Sequence, residues 1–311
     1  MTIRNLEALF APASVALVGA SARAGSVGRI VASNLREGGF AGDIRLVNPR
    51  HASIDGAPCF PSVSALPRAP DLGVVATPPE TVPGVIADLA RHGTRAAVVI
   101  TAGLDAGLRQ RMLEAARPAC LRVLGPNCLG LVLPKLGVNA SFAHRMPLKG
   151  DLAFLSQSGA LVTAVIDWAH ARGIGFSKVV SMGEMADVDF GDTLDYLAGD
   201  PESRAILLYV EQVTHAAKFM SAARRAARAK PVIVLKSGRH EAGAKAAASH
   251  PGALSGSDAV YDAAFRRAGL VRVSDLDGLF EAAEILSFTP RLEGERLAIL
   301  TNGGGAGVLA A

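Results

Sequence analysis

From residue 14 onward, short apolar runs rich in Val, Leu and Ile alternate with segments of helical periodicity, and this alternation restricts the chain to few architectures. The run "SVALVGAS" (14–21) leads through a glycine loop into "VGRIVASNLREGG" (27–39), which predicts a buried strand and a helix closed by paired glycines. "DIRLVNP", "DLGVVATPP", a helix over 80–92, "AAVVITAG", a helix near 107–117 and "LRVLGPNCLG" follow in turn. Four βα steps and a last strand make a doubly wound parallel sheet over residues 1–132. The segment 133–150, "LPKLGVNASFAHRMPLKG", shows no periodicity and carries several Pro and Gly, so it reads as a linker.

A second series starts at 151. "DLAFLSQ" predicts a strand and "SGALVTAVIDWAHARG" a helix, followed by the strands "FSKVVSMG", "AILLYVE" and "PVIVLKSG" with an Arg-rich helix over 215–229 between the last two. Helices over 258–269 and 275–287 flank the short strand "VRVSD". Residues 151–290 thus form a second α/β domain of flavodoxin-like pattern. The last stretch, "ERLAILTNGGGAGVLAA" (295–311), predicts a strand, a glycine loop and a helix start. Two elements cannot bury their own apolar faces, so this stretch is expected to begin a truncated third α/β domain.

Composition narrows the function. Half of the 311 residues are hydrophobic and 19% are charged, which suits two packed cores and excludes disorder. The net charge is +4 without any Lys/Arg block, so no nucleic-acid partner is expected. No apolar run approaches the ~18 residues that span a bilayer. The N-terminus carries no leader pattern, and Cys59, Cys120 and Cys128 lack metal-knuckle spacing. A cytoplasmic protein with reduced thiols and no membrane association is expected.

The first glycine loop has the strand–loop–helix setting that binds phosphate at a helix N-terminus. Its fingerprint departs from G-x-G-x-x-G: after Gly19 come Ser21 and Ala24, and the loop runs on to "GSVG" (25–28). The second strand ends in "VNPR", where a dinucleotide site would want an acid for the ribose hydroxyls. Arg50 there suits an extra phosphate, as in NADP or coenzyme A. "ATPPE" (76–80) and "ITAG" (100–103) end later strands and outline one crevice. His250 stands apart in "ASHPGALSG" (248–256), where small neighbours on both sides allow a group to approach the imidazole closely. The carboxylates of "MGEMADVDFGD", Glu184, Asp187, Asp189 and Asp192, are spaced to hold a cation, although a solvated acidic loop is the plainer reading. Cys128 has no base in its own segment and reads as packing.

The segments "VGAS…GSVG", "VNPR", "GPNCLGL" (125–131), "FLSQSGAL" (154–161), "LYVEQV" (208–213) and "KSGRHEAGAKAAASHPGALSGSD" (236–258) occur in order over essentially the whole chain. Together they resemble the NDP-forming (ADP-forming) acyl-CoA synthetases, relatives of the succinyl-CoA synthetase alpha subunit. The resemblance implies a Rossmann-like CoA-binding domain followed by a flavodoxin-like, succinyl-CoA synthetase-like domain. It implies the reaction acid + CoA + ATP ⇌ acyl-CoA + ADP + phosphate, through an acyl phosphate and a phosphohistidine. On that pattern His250 carries the phosphoryl group, Glu211 supports the ring, and Ser158 and Gly159 receive the phosphate. Gly25, Ser26, Val27 and Gly28 form the CoA loop, with Arg50, Thr101 and Asn127 as further CoA-side residues. Pro251 stands where the family's loop usually has threonine, which removes a backbone donor.

The implied cofactor is coenzyme A, with ATP/ADP and Mg2+ at an ATP-grasp part outside this chain. The implied partners are a carboxylic acid or acyl-CoA and that ATP-grasp domain or subunit, in an oligomer. Two alternatives stand beside this reading: a CoA- or acyl-CoA-sensing module of a fused protein lysine acetyltransferase, and an NADP-dependent dehydrogenase. The broken fingerprint and the lack of a hydride-site acid/base pair weigh against the dehydrogenase.

Overall fold

A computed structural model of the chain describes residues 3–239, 257–289, 296 and 298–311. Among the described residues the strands form two sheets of seven. The first holds β1 (Ser14–Val18), β2 (Asp43–Val47), β3 (Ser53–Ile54), β4 (Ala57–Phe60), β5 (Leu72–Val75), β6 (Ala96–Val99) and β7 (Arg122–Leu124), in the order β3-β4-β2-β1-β5-β6-β7. All its pairings are parallel except that of β3 with β4. Residues 15–18, 72–75 and 96–99 are buried throughout, as the central strands of a sheet covered on both faces must be. The first helices are α1 (Leu6–Phe10), α2 (Val27–Glu37), α3 (Val82–His92) and α4 (Ala106–Ala116).

Where a fourth βα step was expected, β2 reaches β5 through the β3–β4 hairpin and a short 3-10 turn at Val63–Ala65. Asp55 and Gly56 form the hairpin's tip with φ of 48° and 79°. An Asp-Gly pair takes that left-handed pair of conformations at little cost, so the signal was present in the sequence.

The second sheet holds β8 (Gly130–Leu133), β9 (Val138–Ser141), β10 (Lys149–Ser156), β11 (Phe176–Ser181), β12 (Ala205–Val210), β13 (Val232–Lys236) and β14 (Val271–Val273). Their order is β14-β13-β12-β10-β11-β8-β9, parallel except for the antiparallel pairings of β8 with β9 and β11. Helices α5 (Gly159–Ala171), α6 (Phe190–Gly199) and α7 (Ala216–Ala229) pack on it, with further helices at Asp258–Ala268 and Leu276–Phe288. The segment 133–150 therefore holds sheet structure rather than a bare linker. Its strand β9 is buried at every residue, so it lacks the alternation that would have marked a strand. Within 295–311 the described residues include a helix at Gly304–Ala310 but not the expected strand. Among the described residues, no helix is long and apolar enough to cross a membrane.

The two sheets share a core. One buried cluster runs from Leu6 and Phe10 in the first half to Leu194 and Phe265 in the second, and the rings of Phe10 and Tyr196 lie 4.8 Å apart. The chain after β7 and the chain after β11 also bond to each other. Glu184 donates to the Pro126 carbonyl (2.9 Å), Ala186 to that of Gly125 (3.0 Å) and Val188 to that of Val123 (3.0 Å).

The carboxylates of "MGEMADVDFGD" are ion-paired rather than a solvated loop. Asp189 caps α6 in a capping box with Asp192, and the two are 3% and 4% exposed. Lys218 reaches both, Arg122 pairs with Asp187 and Asp192, and Arg109 pairs with Glu184. Every acid has a basic partner brought from a distant element, which local sequence cannot show.

A second buried ion pair lies under the second sheet. Lys178 on β11 is 1% exposed and donates to Asp200 at 2.7 Å and Glu202 at 3.0 Å. Burial alone would raise the Asp200 pKa, but the bonds from Lys178 and Ser203 bring it below the ordinary carboxylate value. A lowered folded-state pKa contributes stability that is complete at neutral pH and lost as pH falls through the lowered value. Asp200→Ala leaves Lys178 only its bond to the more exposed Glu202 and is expected to cost about 1.5–3 kcal/mol in urea unfolding, the worth of a lost bond to a charged group, and Lys178→Met with Asp200→Leu should recover most of that loss.

Candidate active site at two switch points

Each sheet reverses its strand order about one strand, β1 in the first and β10 in the second. A crevice opens outside the carboxyl end of such a strand.

At the first, Gly19 (φ 95°) turns the chain out of β1. A Cβ on Gly19 would lie 2.4 Å from the Ala76 carbonyl oxygen, and one on Gly28 would lie 2.0 Å from that of Gly19. Only glycine at both lets α2 begin directly against the strand. Ser26 caps α2, its hydroxyl accepting from the Arg29 amide at 3.4 Å. Asn48 ties "VNPR" to this loop by donating to the Ala20 carbonyl (2.7 Å) and accepting from the Arg50 amide (2.8 Å). Gly25 (φ 73°) and Arg50 are exposed.

At the second, β10 ends at Ser156 and α5 begins at Gly159. Ser158 caps α5 by accepting from the Leu161 amide at 3.3 Å, and the Ser156 hydroxyl bonds both the amide and the carbonyl of Ser158. Gln157 was not singled out from the sequence. Its side-chain oxygen accepts from the amides of Glu211 (2.6 Å) and Gln212 (2.9 Å), which fixes the end of β12 beside the start of α5. Glu211 is thus held beside the start of α5. His250 lies outside the described residues. The chain leaves β13 next to Glu211, since Ser237 donates to the Val210 carbonyl at 3.0 Å.

One cleft of about 590 Å3 joins the two half-sites. Val27, Thr77, Thr101 and Asn127 line it from the first half, and Gly159, Ala160 and Thr163 from the second. The Thr101 hydroxyl donates to the Thr77 carbonyl at 2.7 Å, and its own carbonyl accepts from the Asn127 amide at 3.0 Å. Asn127 sits at φ 56° and donates from its side chain to Glu184 at 3.3 Å, so an acid read from the sequence as part of a solvated loop orients this amide. Cys128 also lines the cleft, but burial pushes its thiol up to about 12 and it donates to the Val99 carbonyl. It is no nucleophile at neutral pH. A larger cleft of about 1040 Å3 is lined by Arg122, Asp187, Asp192 and Lys218 among others, and by none of the residues expected on the CoA or phosphate side.

The Gln157 bonds give a direct test. Gln157→Leu should speed hydrogen exchange of the Glu211 and Gln212 amides by about tenfold, the worth of one lost bond, and leave Leu207 and Leu208 unchanged.

Comparison with known proteins finds two family models along the chain. Residues 13–134 match the model of a CoA binding domain, and residues 149–286 match that of a succinyl-CoA ligase like flavodoxin domain. The ADP-forming acetate–CoA ligase I of Archaeoglobus fulgidus is 44% identical over 312 residues, covering 98% of this chain. The alpha subunit of the ADP-forming acetate–CoA ligase I of Pyrococcus furiosus is 41% identical, covering 98% of this chain and 68% of the subunit. The dinucleotide-forming acetyl-coenzyme A synthetase 1 of Ca. Korarchaeum cryptofilum, solved with phosphate and ADP, superposes with a TM-score of 0.91 at 40% identity, covering 97% of this chain and 67% of that one. The chain spans less than half, 45%, of the Archaeoglobus protein. With the Pyrococcus subunit matched over two thirds of its length, the chain belongs to the family of ADP-forming acyl-CoA synthetases.

Proposed function

We propose that this chain is the CoA-binding and phosphohistidine-carrying part of an ADP-forming acyl-CoA synthetase, catalysing acid + CoA + ATP ⇌ acyl-CoA + ADP + phosphate together with an ATP-grasp domain or subunit. The observation that carries the reading is the single cleft in which Val27, Thr101 and Asn127 face the first turn of α5. A thiol carrier seated at α2 and an anion seated at α5 would meet there.

The chemistry follows from what each half-site offers. The first amides of α5 and its dipole favour an anion, by roughly 0.3–2 kcal/mol depending on burial. Phosphoryl transfer is mostly positioning plus such charge stabilisation. His250 would take the phosphoryl group on one ring nitrogen while Glu211 accepts a hydrogen bond from the other and stabilises the charged ring. The phosphoryl group passes to the carboxylate of the acid, and the resulting acyl phosphate is displaced by the CoA thiolate, releasing phosphate. Gly25, Ser26, Val27 and Gly28 would hold CoA at the start of α2, and the exposed Arg50 would meet its 3′-phosphate.

Nucleotide and Mg2+ would be held by the ATP-grasp part. Among the described residues no cluster of three or more potential metal ligands occurs, and Glu184, Asp187 and Asp192 are tied to Arg109, Arg122 and Lys218. The relatives give no support to the acetyltransferase-sensor alternative, since those matched here are CoA ligases and synthetases.

The test is phosphorylation of the chain in the presence of its ATP-grasp part, using labelled ATP or acyl-CoA with labelled phosphate. The label should be acid-labile and base-stable and should be absent from His250→Ala. Label persisting in that variant would overturn the assignment.

A further inference from the structure

We infer that Phe142, presented by Asn34, sets the size of the acyl group accepted by the cleft, an inference that rests on the synthetase reading above. Phe142 follows β9 directly and lines the cleft with Leu129, Ala160 and Thr163. It is 36% exposed, whereas its neighbours Ser141 and Ala143 are both at 0%.

A single exposed apolar side chain needs no explanation by itself. Phe142 is distinguished by how its backbone is held. The Asn34 side-chain amide on α2 donates to the carbonyls of both Ser141 and Ala143, each at 2.8 Å. The Phe142 amide donates to the Leu129 carbonyl at 3.2 Å, and the Ala143 amide to the Ser141 hydroxyl at 3.2 Å. Four bonds therefore fix the main chain around one ring left open to the cleft. Two of them come from the helix whose first turn forms the candidate CoA loop.

The surrounding wall makes that ring decisive. Gly159 and Ala160 are small, and the Thr163 hydroxyl is already spent on the Ala160 carbonyl at 2.7 Å. Leu129 is 4% exposed and held by the Ser181 hydroxyl at its amide. Among the described residues lining the cleft none is charged, so nothing there selects an acid by the charge of its tail. Volume is what remains, and Phe142 is the largest side chain in the lining. Pockets of this kind discriminate by roughly 10–200-fold per methylene-sized step.

The experiment is calorimetric titration of the chain with CoA, acetyl-CoA and phenylacetyl-CoA, each variant's free CoA affinity serving as its own reference. Wild type should prefer acetyl-CoA over phenylacetyl-CoA by about tenfold or more. Phe142→Ala should bring that preference to about threefold or less, Phe142→Trp should widen it, and Asn34→Ala should shift it the way Phe142→Ala does. A preference left at the wild-type value in both Phe142 variants, with CoA still bound, would overturn the inference. So would a Phe142→Ala protein that binds none of the three ligands, since the ring would then be structural. A wild-type chain that fails to bind CoA would overturn the synthetase reading itself.

Discussion

The site depends on two backbone turns lying against each other. The turn Gly125–Leu129 after β7 accepts main-chain bonds from Glu184 and Ala186 after β11, and Leu129 returns one to the Ser181 hydroxyl at 2.9 Å. The approach is so close that a Cβ on Gly183 would lie 2.2 Å from the Pro126 carbonyl oxygen. Main-chain bonds in a row leave little freedom for one half to rotate against the other. They also set Gly159 against Leu129, at 3.4 Å from a would-be Cβ, so the start of α5 stands across the cleft from α2. Two switch points that could have faced apart are made to share one space.

The ion pairs around this seam act as its outer fastening. Arg122 extends from β7 to Asp187 and Asp192, and Lys218 on α7 reaches Asp189 and Asp192. Arg122 also has its pKa raised: burial opposes the charge, and its bonds to the Asp187 and Asp192 carboxylates outweigh it. Such buried charges are costly to strand and therefore hold the two halves in one arrangement more than they add net stability. A candidate reaction that must pass a group between two half-sites needs that fixed spacing more than it needs extra free energy.

Much of the fold was legible because parallel strands buried on both faces read as unbroken apolar runs, as in 72–75 and 96–99. The hairpin at Asp55-Gly56 had a local signal that was passed over. The strand β9 had none, because burial on both sides removes alternation from a segment that also carries turn residues. Of the expected CoA-side residues, Val27, Thr101 and Asn127 line the cleft, whereas Gly25 and Arg50 are exposed and are not part of its lining. Glu211 was legible from its motif, but Gln157, which holds it, was not, since a glutamine side chain bonding two amides more than fifty residues away leaves no local pattern. The acids at 184–192 were misread for the same reason: their partners are distant in sequence.

The central claim is that a ligand seated at α2 is felt at the start of α5. Hydrogen exchange of the chain with and without saturating CoA measures this directly. The account predicts slowing of about tenfold or more at residues 26–28 and also at 159–161. Protection confined to residues 26–28, with the first turn of α5 exchanging as in the free protein, would contradict it.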